Sequence, residues 1–147
     1  MWKVPADGGD AVEIINRVSL RPAVSPDGKW IACGSTGDQP NSGFKIAIFP
    51  AEGGQPVKFL DIPGSQQNQH HWSSDSKAIL YLDDRDGITN VFSQAIDGGP
   101  PKQLTSFTTD KIFSFDWSRD GKLMACTRGV VTTDVLLIKD QPRADGK

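Results

Sequence analysis

The sequence predicts an all-β fold made of repeated four-stranded units, the blades of a β-propeller. Two markers carry this reading, because they recur with one period. Val24-Ser25-Pro26-Asp27-Gly28-Lys29-Trp30-Ile31-Ala32-Cys33 aligns with Trp72-Ser73-Ser74-Asp75-Ser76-Lys77-Ala78-Ile79-Leu80-Tyr81 and with Trp117-Ser118-Arg119-Asp120-Gly121-Lys122-Leu123-Met124-Ala125-Cys126. Their serines are offset by 48 and 45 residues. Between them the pairs Gly8-Gly9, Gly53-Gly54 and Gly98-Gly99 recur at offsets of 45 and 45. A period of about 40–50 residues signals a propeller or solenoid. The third observation is local: apolar runs of four to seven residues are bounded by Gly, Pro, Asp and Ser, with no sustained 3.6-residue apolar period.

Each unit reads in the same order. A first strand ends at the Trp-Ser or Val-Ser pair. The Pro-Asp-Gly-Lys type turn follows, Asp binding its own backbone and Gly free to take positive φ. The second strand is the Trp-Ile-Ala-Cys type segment. A polar loop comes next, Ser35 to Gly43 in one unit and Asp83 to Gly87 in another. Third strands are expected at Phe44–Phe49, Ile88–Gln94 and Thr133–Ile138. The Gly-Gly hairpin then leads to fourth strands at Gln55–Leu60 and Lys102–Thr105. The N-terminal segments Trp2–Val4 and Ala11–Asn16 flank Gly8-Gly9, so they read as third and fourth strands of an earlier blade.

The chain divides accordingly into a blade remnant (1–17), two blades (18–65 and 66–110), an incomplete blade (111–140) and a tail (141–147). That is just over three blades, half of a six-bladed ring. A closed propeller needs at least four. Three stacked sheets leave two lateral faces open, and bare sheet faces or edges attract partners. The expected partner is the missing blades of a parent chain or a second copy of this one, with the N-terminal strands of one copy completing the last blade of the other. A third strand at 133–138 would be surplus to such a ring.

The Ser-Pro-Asp-Gly-Lys turn, the Trp-Ser pair before it and the Asp-Gly-Gly hairpin resemble the WD-repeat-like blades of the TolB type. The resemblance covers about residues 2–140. It implies a six-bladed propeller of the kind found in the TolB family, in the caps of prolyl oligopeptidase relatives and in bacterial sensor-like chains. The stretch from Thr127 to Asp140 is similar to the propeller end of acidobacterial-type Ser/Thr kinases and winged-helix regulators.

Composition narrows the function classes. The chain has 147 residues and a net charge of −2, which disfavours a nucleic-acid partner. No apolar run approaches the ~20 residues that span a bilayer, and the first residues do not form a signal peptide. The compartment stays open, extracytoplasmic if the parent is a membrane-anchored sensor. Cys33 and Cys126 occupy one repeat position in different blades, so two free, buried thiols are expected.

Candidate chemistry is sparse. Ser25, Ser73 and Ser118 are repeat residues, and no Gly-x-Ser-x-Gly elbow exists for a hydrolase. His70 and His71 are neighbours on a predicted strand, so their side chains face opposite sides and do not share a metal easily. One is expected near the strand's inner end and the other between sheets. Asp75 and Asp110 are possible companions without diagnostic spacing. Asp83-Asp84-Arg85-Asp86-Gly87 fails the calcium-loop pattern, because Ala95 stands at the twelfth position from Asp84. Trp72 and Trp117 are expected in the core, Trp30 partly exposed, and Trp2 at an interface. His70, His71, Trp2 and Trp30 are thus the candidate ligand or interface residues. No catalytic residue, cofactor or metal is implied. The expected function is a non-catalytic scaffold for protein, peptide or small-ligand recognition in a larger bacterial signalling protein. The alternatives are the propeller cap of a prolyl-oligopeptidase-like peptidase and a TolB-like envelope protein.

Overall fold

The computed structural model describes residues 1–36, 43–63 and 69–133. Among these, twelve strands form four antiparallel sheets and there is no helix. The first sheet has two strands, β1 (Trp2–Lys3) and β2 (Val12–Glu13). The second pairs β3 (Ser19–Val24), β4 (Trp30–Thr36), β5 (Phe44–Pro50) and β6 (Lys58–Leu60) in chain order. The third repeats this with β7 (His70–Trp72), β8 (Ala78–Arg85), β9 (Ile88–Ala95) and β10 (Lys102–Gln103). The fourth pairs β11 (Lys111–Trp117) with β12 (Met124–Gly129). The third strand expected at Thr133–Ile138 falls, from residue 134 on, outside the described residues, as does the loop from 37 to 42.

Packing follows from the two-residue alternation of strand side chains. The central strands are apolar on both faces, because a sheet lies on each side of them. On β4 and β5, Ala32, Ile46 and Ile48 meet Ile79, Tyr81 and Phe92 of the next sheet, with Trp72 closing the cluster. Their neighbours Cys33, Ala47 and Phe49 face the other way, onto Met1, Ile14 and Ile15. On β8 and β9, Leu80, Leu82 and Val91 turn to Ile112 and Phe115 of the fourth sheet. Each core cluster therefore joins one sheet to the next.

The first marker of the repeat is a turn built three times with one set of bonds. Ser25 Oγ donates to Asp27 Oδ1 at 2.6 Å and accepts from Trp30 N at 3.0 Å, while Lys29 N donates to the same carboxylate at 3.1 Å. Ser73, Asp75, Lys77 and Ala78 repeat this, as do Ser118, Asp120, Lys122 and Leu123. Gly28 and Gly121 supply the positive φ the turn needs, and Ser76 adopts it at 61°.

Three details depart from the sequence reading. Cys126 is only half-buried, because the described residues cover β12 on one face alone, whereas Cys33 is fully buried. The loop expected at Asp83 to Gly87 shrinks to Asp86-Gly87. Strand pairing runs on through Asp83, Asp84 and Arg85, and both turn residues have positive φ, the signature of a two-residue hairpin. The charges are accommodated by Arg85 Nε on Asp83 at 2.8 Å and by Lys111 Nζ on Asp84 at 3.1 Å. Fourth strands are shorter than expected. Beyond Gln103 the Thr105 hydroxyl, not a carbonyl, accepts from Val91 N at 2.9 Å. Asn90 then holds the departing chain through Thr105 Oγ1 and the Phe107 backbone.

Candidate functional site

β3, β7 and β11 are the first strands of their sheets and pair on one side only. Across their exposed sides they frame a cleft of about 750 Å³, lined among others by Arg21, Gln69, His71, Ser114 and Asp116. Its shape owes much to two irregularities. β3 shifts register between Leu20 and Ala23, and β11 between Ile112 and Ser114. Pro22 has no N–H to give the ladder, so a bulge at Arg21-Pro22 is the natural outcome. Arg21 takes a left-handed φ of 54° there, a conformation held by its surroundings and frequent at functional sites.

The two histidines do face opposite ways. His70 is buried against the second sheet, with Nε2 3.3 Å from the Ala32 carbonyl. His71 faces the fourth sheet, its ring edge-on to Phe115 at 4.8 Å and its Nδ1 3.7 Å from Asp116 Oδ1. Gln69 Nε2 donates to the Phe113 carbonyl at 2.6 Å, which ties the cleft floor to its far wall. Trp72 does the same toward the near wall, donating from Nε1 to the Ala23 carbonyl at 2.9 Å. The equivalent indole of Trp117 is buried without a hydrogen-bond partner.

The other candidates lie elsewhere. Trp30 is half-buried against the cluster joining the second and third sheets. Trp2 is 62% exposed on β1 and does not line the cleft. It lines a separate hollow of about 370 Å³ with Val4, Pro22, Val24 and Ile31. Arg21, Gln69, Ser114 and Asp116 were not singled out in the sequence. The one available signal was the Arg21-Pro22 pair inside a predicted strand.

Electrostatically, the turn carboxylates are structural. Asp27, Asp75 and Asp120 are held below the usual carboxylate range, first by the serine hydroxyl and then by the lysine amide. Asp84 is lowered chiefly by Lys111. Burial pushes up the Cys33 thiol and the Tyr81 hydroxyl, leaving both neutral. Each repeat serine is bonded to an aspartate and a backbone amide, with no imidazole to activate it. Among the described residues no group of three or more His, Cys, Asp or Glu is placed to hold a metal ion. Asp110 is instead near Arg128, at 3.8 Å.

Solved structures share this architecture. A putative TolB from Agrobacterium tumefaciens superposes with a TM-score of 0.62 at 23% identity, over 85% of this chain and 45% of that one. TolB from Acinetobacter baumannii does so with a TM-score of 0.53 at 22% identity, over 80% and 27%. The chain has the β-propeller fold of these structures. In sequence, the propeller is 33% identical over 110 residues to Tricorn protease homolog 1 of Streptomyces coelicolor, covering 71% of this chain. It spans only a tenth of that protein's length. No protein-family model matches.

Proposed function

We infer that this propeller is a non-catalytic recognition scaffold that takes a protein, peptide or small ligand in the cleft where β3, β7 and β11 converge. The carrying observation is the contrast between surfaces. The broad faces of the central sheets are spent on core packing, while the first strands, with Gln69 just before β7, line the cleft with Arg21, Gln69, His71, Ser114 and Asp116. Polar groups converging on a concavity held by a rigid framework are the usual form of a binding site. A sensor or interaction module of a larger bacterial signalling protein fits the likeness of residues 127–140 to kinase and regulator propellers. A TolB-like envelope protein fits the fold.

The match to a Tricorn protease homolog favours a second reading, in which the propeller serves a peptidase. It would then admit or orient peptides for a catalytic domain outside this chain.

The test is a titration with pools of acidic, basic and apolar tetrapeptides, with free and with blocked ends, followed by backbone amide shifts. Saturable shifts confined to 19–24, 69–72 and 111–117, and lost in Arg21→Ala, are the expected result. Shifts only with free-ended peptides would favour the peptidase reading. Shifts on the outer strands, or none with any pool, would overturn cleft recognition.

A further inference from the structure

The three turn serines mark equivalent positions on neighbouring sheets, and the residues beside them converge. Two places before the serine stand Ala23, His71 and Asp116, and one place after it stand Pro26, Ser74 and Arg119. These six line a second hollow, of about 360 Å³, at the turn end of β3, β7 and β11. It meets the cleft at Ala23, His71 and Asp116, which line both. Its character changes from wall to wall. Ala23 and Pro26 make the second sheet's side apolar, His71 and Ser74 make the third's polar, and Asp116 and Arg119 give the fourth a charge of each sign.

The repeat supplies an internal comparison between the two junctions that border the hollow. Where the second sheet meets the third, two bonds clip the turns together. Trp72 Nε1 donates to the Ala23 carbonyl at 2.9 Å, and Asp27 N donates to Ser76 Oγ at 3.0 Å. Where the third meets the fourth, neither bond is made. The carbonyl equivalent to that of Ala23 belongs to His71, yet Trp117 Nε1 is shut off from solvent with no partner. Gly121 stands in the place of Ser76 and has no hydroxyl to offer. A buried donor left unpaired costs about 1–3 kcal/mol, so an acceptor brought to it recovers that cost on binding. Trp117 itself lines the hollow.

The two charges are open to a ligand. The Asp116 side chain is 80% exposed, with His71 Nδ1 at 3.7 Å and the Trp117 amide donating to it at 2.8 Å. Arg119 is exposed and makes no hydrogen bond or ion pair among the described residues.

We propose that the turn-end hollow binds a free α-amino acid with an apolar side chain. The ligand's carboxylate meets Arg119 and the Trp117 indole N–H, its ammonium meets Asp116, and its side chain lies toward Ala23 and Pro26. Asp116 repels a simple anion and Arg119 a simple cation, whereas a zwitterion satisfies both. The volume is at the lower end of the range of ligand sites and suits one small molecule. This goes beyond cleft recognition and fails separately from it, since Trp117 and Arg119 are not in the cleft lining.

The test follows the indole N–H resonances of the full chain during titration with L-leucine. The Trp117 signal, one of four, is assigned through its own backbone. A saturable shift of that signal, with Trp2 and Trp30 unmoved, is the expected result. Leucinamide, N-acetylleucine and glycine should each bind about tenfold more weakly, because each lacks one of the three contacts. Arg119→Gln should weaken leucine by about the same factor without disturbing the fold, the side chain being exposed. No saturable shift up to about 10 mM leucine would overturn the proposal. Equal affinity for acetate or N-acetylleucine would also overturn it, making the hollow an anion site. An affinity for leucine unchanged in Arg119→Gln would do the same, placing the ligand elsewhere.

Discussion

Ser76 stands where the other two turns have glycine, and it shows how one position trades backbone strain for a contact. Its φ of 61° lies in the left-handed region, beside 72° for Gly28 and 69° for Gly121. An L-residue there costs about 1–2 kcal/mol. In return the Ser76 hydroxyl accepts a hydrogen bond from Asp27 N at 3.0 Å, linking one sheet's turn to the next. Such a bond contributes about 0.5–1.5 kcal/mol net. Ser76→Ala keeps the strain and loses the bond, so urea unfolding should show a loss of about 1 kcal/mol. Ser76→Gly loses both terms and should stay within about 0.5 kcal/mol of the parent. At Gly121 no such exchange is open, since a Cβ would stand 2.5 Å from Ser74 Oγ. The three turn aspartates make a second residue-scale prediction. Their folded pKa values lie below the ordinary one, so their contribution is fully present above the unfolded value, about 4, and is lost as pH falls through the folded values. Tm should be flat in this respect from pH 7 to 5 and drop below about 4. The triple variant Asp27→Asn, Asp75→Asn, Asp120→Asn should be less stable at pH 7 and should flatten that acid limb.

At the scale of elements, the hairpin of β8 and β9 is the longest ladder among the described residues, pairing without interruption from Ala78–Ala95 to Arg85–Ile88. It closes on Asp86 at φ 55° and Gly87 at 82°, and no atom lies within 4 Å of a Cβ built on Gly87. Gly87→Ala thus meets no obstacle except its own backbone, and should cost about 1–2 kcal/mol in urea unfolding. Asp86→Asn should be neutral, because Asn tolerates the same region. The same hairpin marks the limit of reading strands from residue type. Asp83-Asp84-Arg85 looks like a loop by polarity, yet each charge has a partner that lets the ladder continue. The strand cores Ile31–Cys33, Ile46–Phe49, Ile79–Leu82 and Val91–Phe92 were legible, because burial on both faces leaves continuous apolar runs bounded by turn residues. The short outer strands were less so. Their ends depend on the Thr105 hydroxyl and the Asn90 amide standing in for backbone groups, which no propensity records. The cleft was half legible. Alternation separated His70 from His71, but the approach of Arg21, Gln69 and Asp116 arises from bulges and from sheets packed far apart in sequence.

For the whole molecule, stability is shared between neighbouring sheets and not concentrated in one core. Three clusters each join adjacent sheets, so the described fold behaves as a short one-dimensional stack with nearest-neighbour terms. The middle sheets have a partner on each side. β11 and β12 are held on one face, through Ile112 and Phe115 on Leu80, Leu82 and Val91, and by the reach of Gln69 and Lys111 across the gap. Truncating Leu82, 1% exposed, should therefore act unevenly. Leu→Ala in a core costs about 2–5 kcal/mol, and here nearly all of that falls on one junction. In Leu82→Ala, hydrogen exchange should speed at β11 and β12 well before β4 and β5, whose packing on Ile79, Tyr81 and Phe92 is on the opposite face of β8 and β9. Uniform loss of protection across all four sheets would mean instead that the stack unfolds as one unit, with coupling between junctions stronger than the junctions themselves. Phe49→Ala makes the mirror test at the other end, loosening β1 and β2 while β11 and β12 keep their protection, since its contacts are with Ile15, Met1 and Ile14.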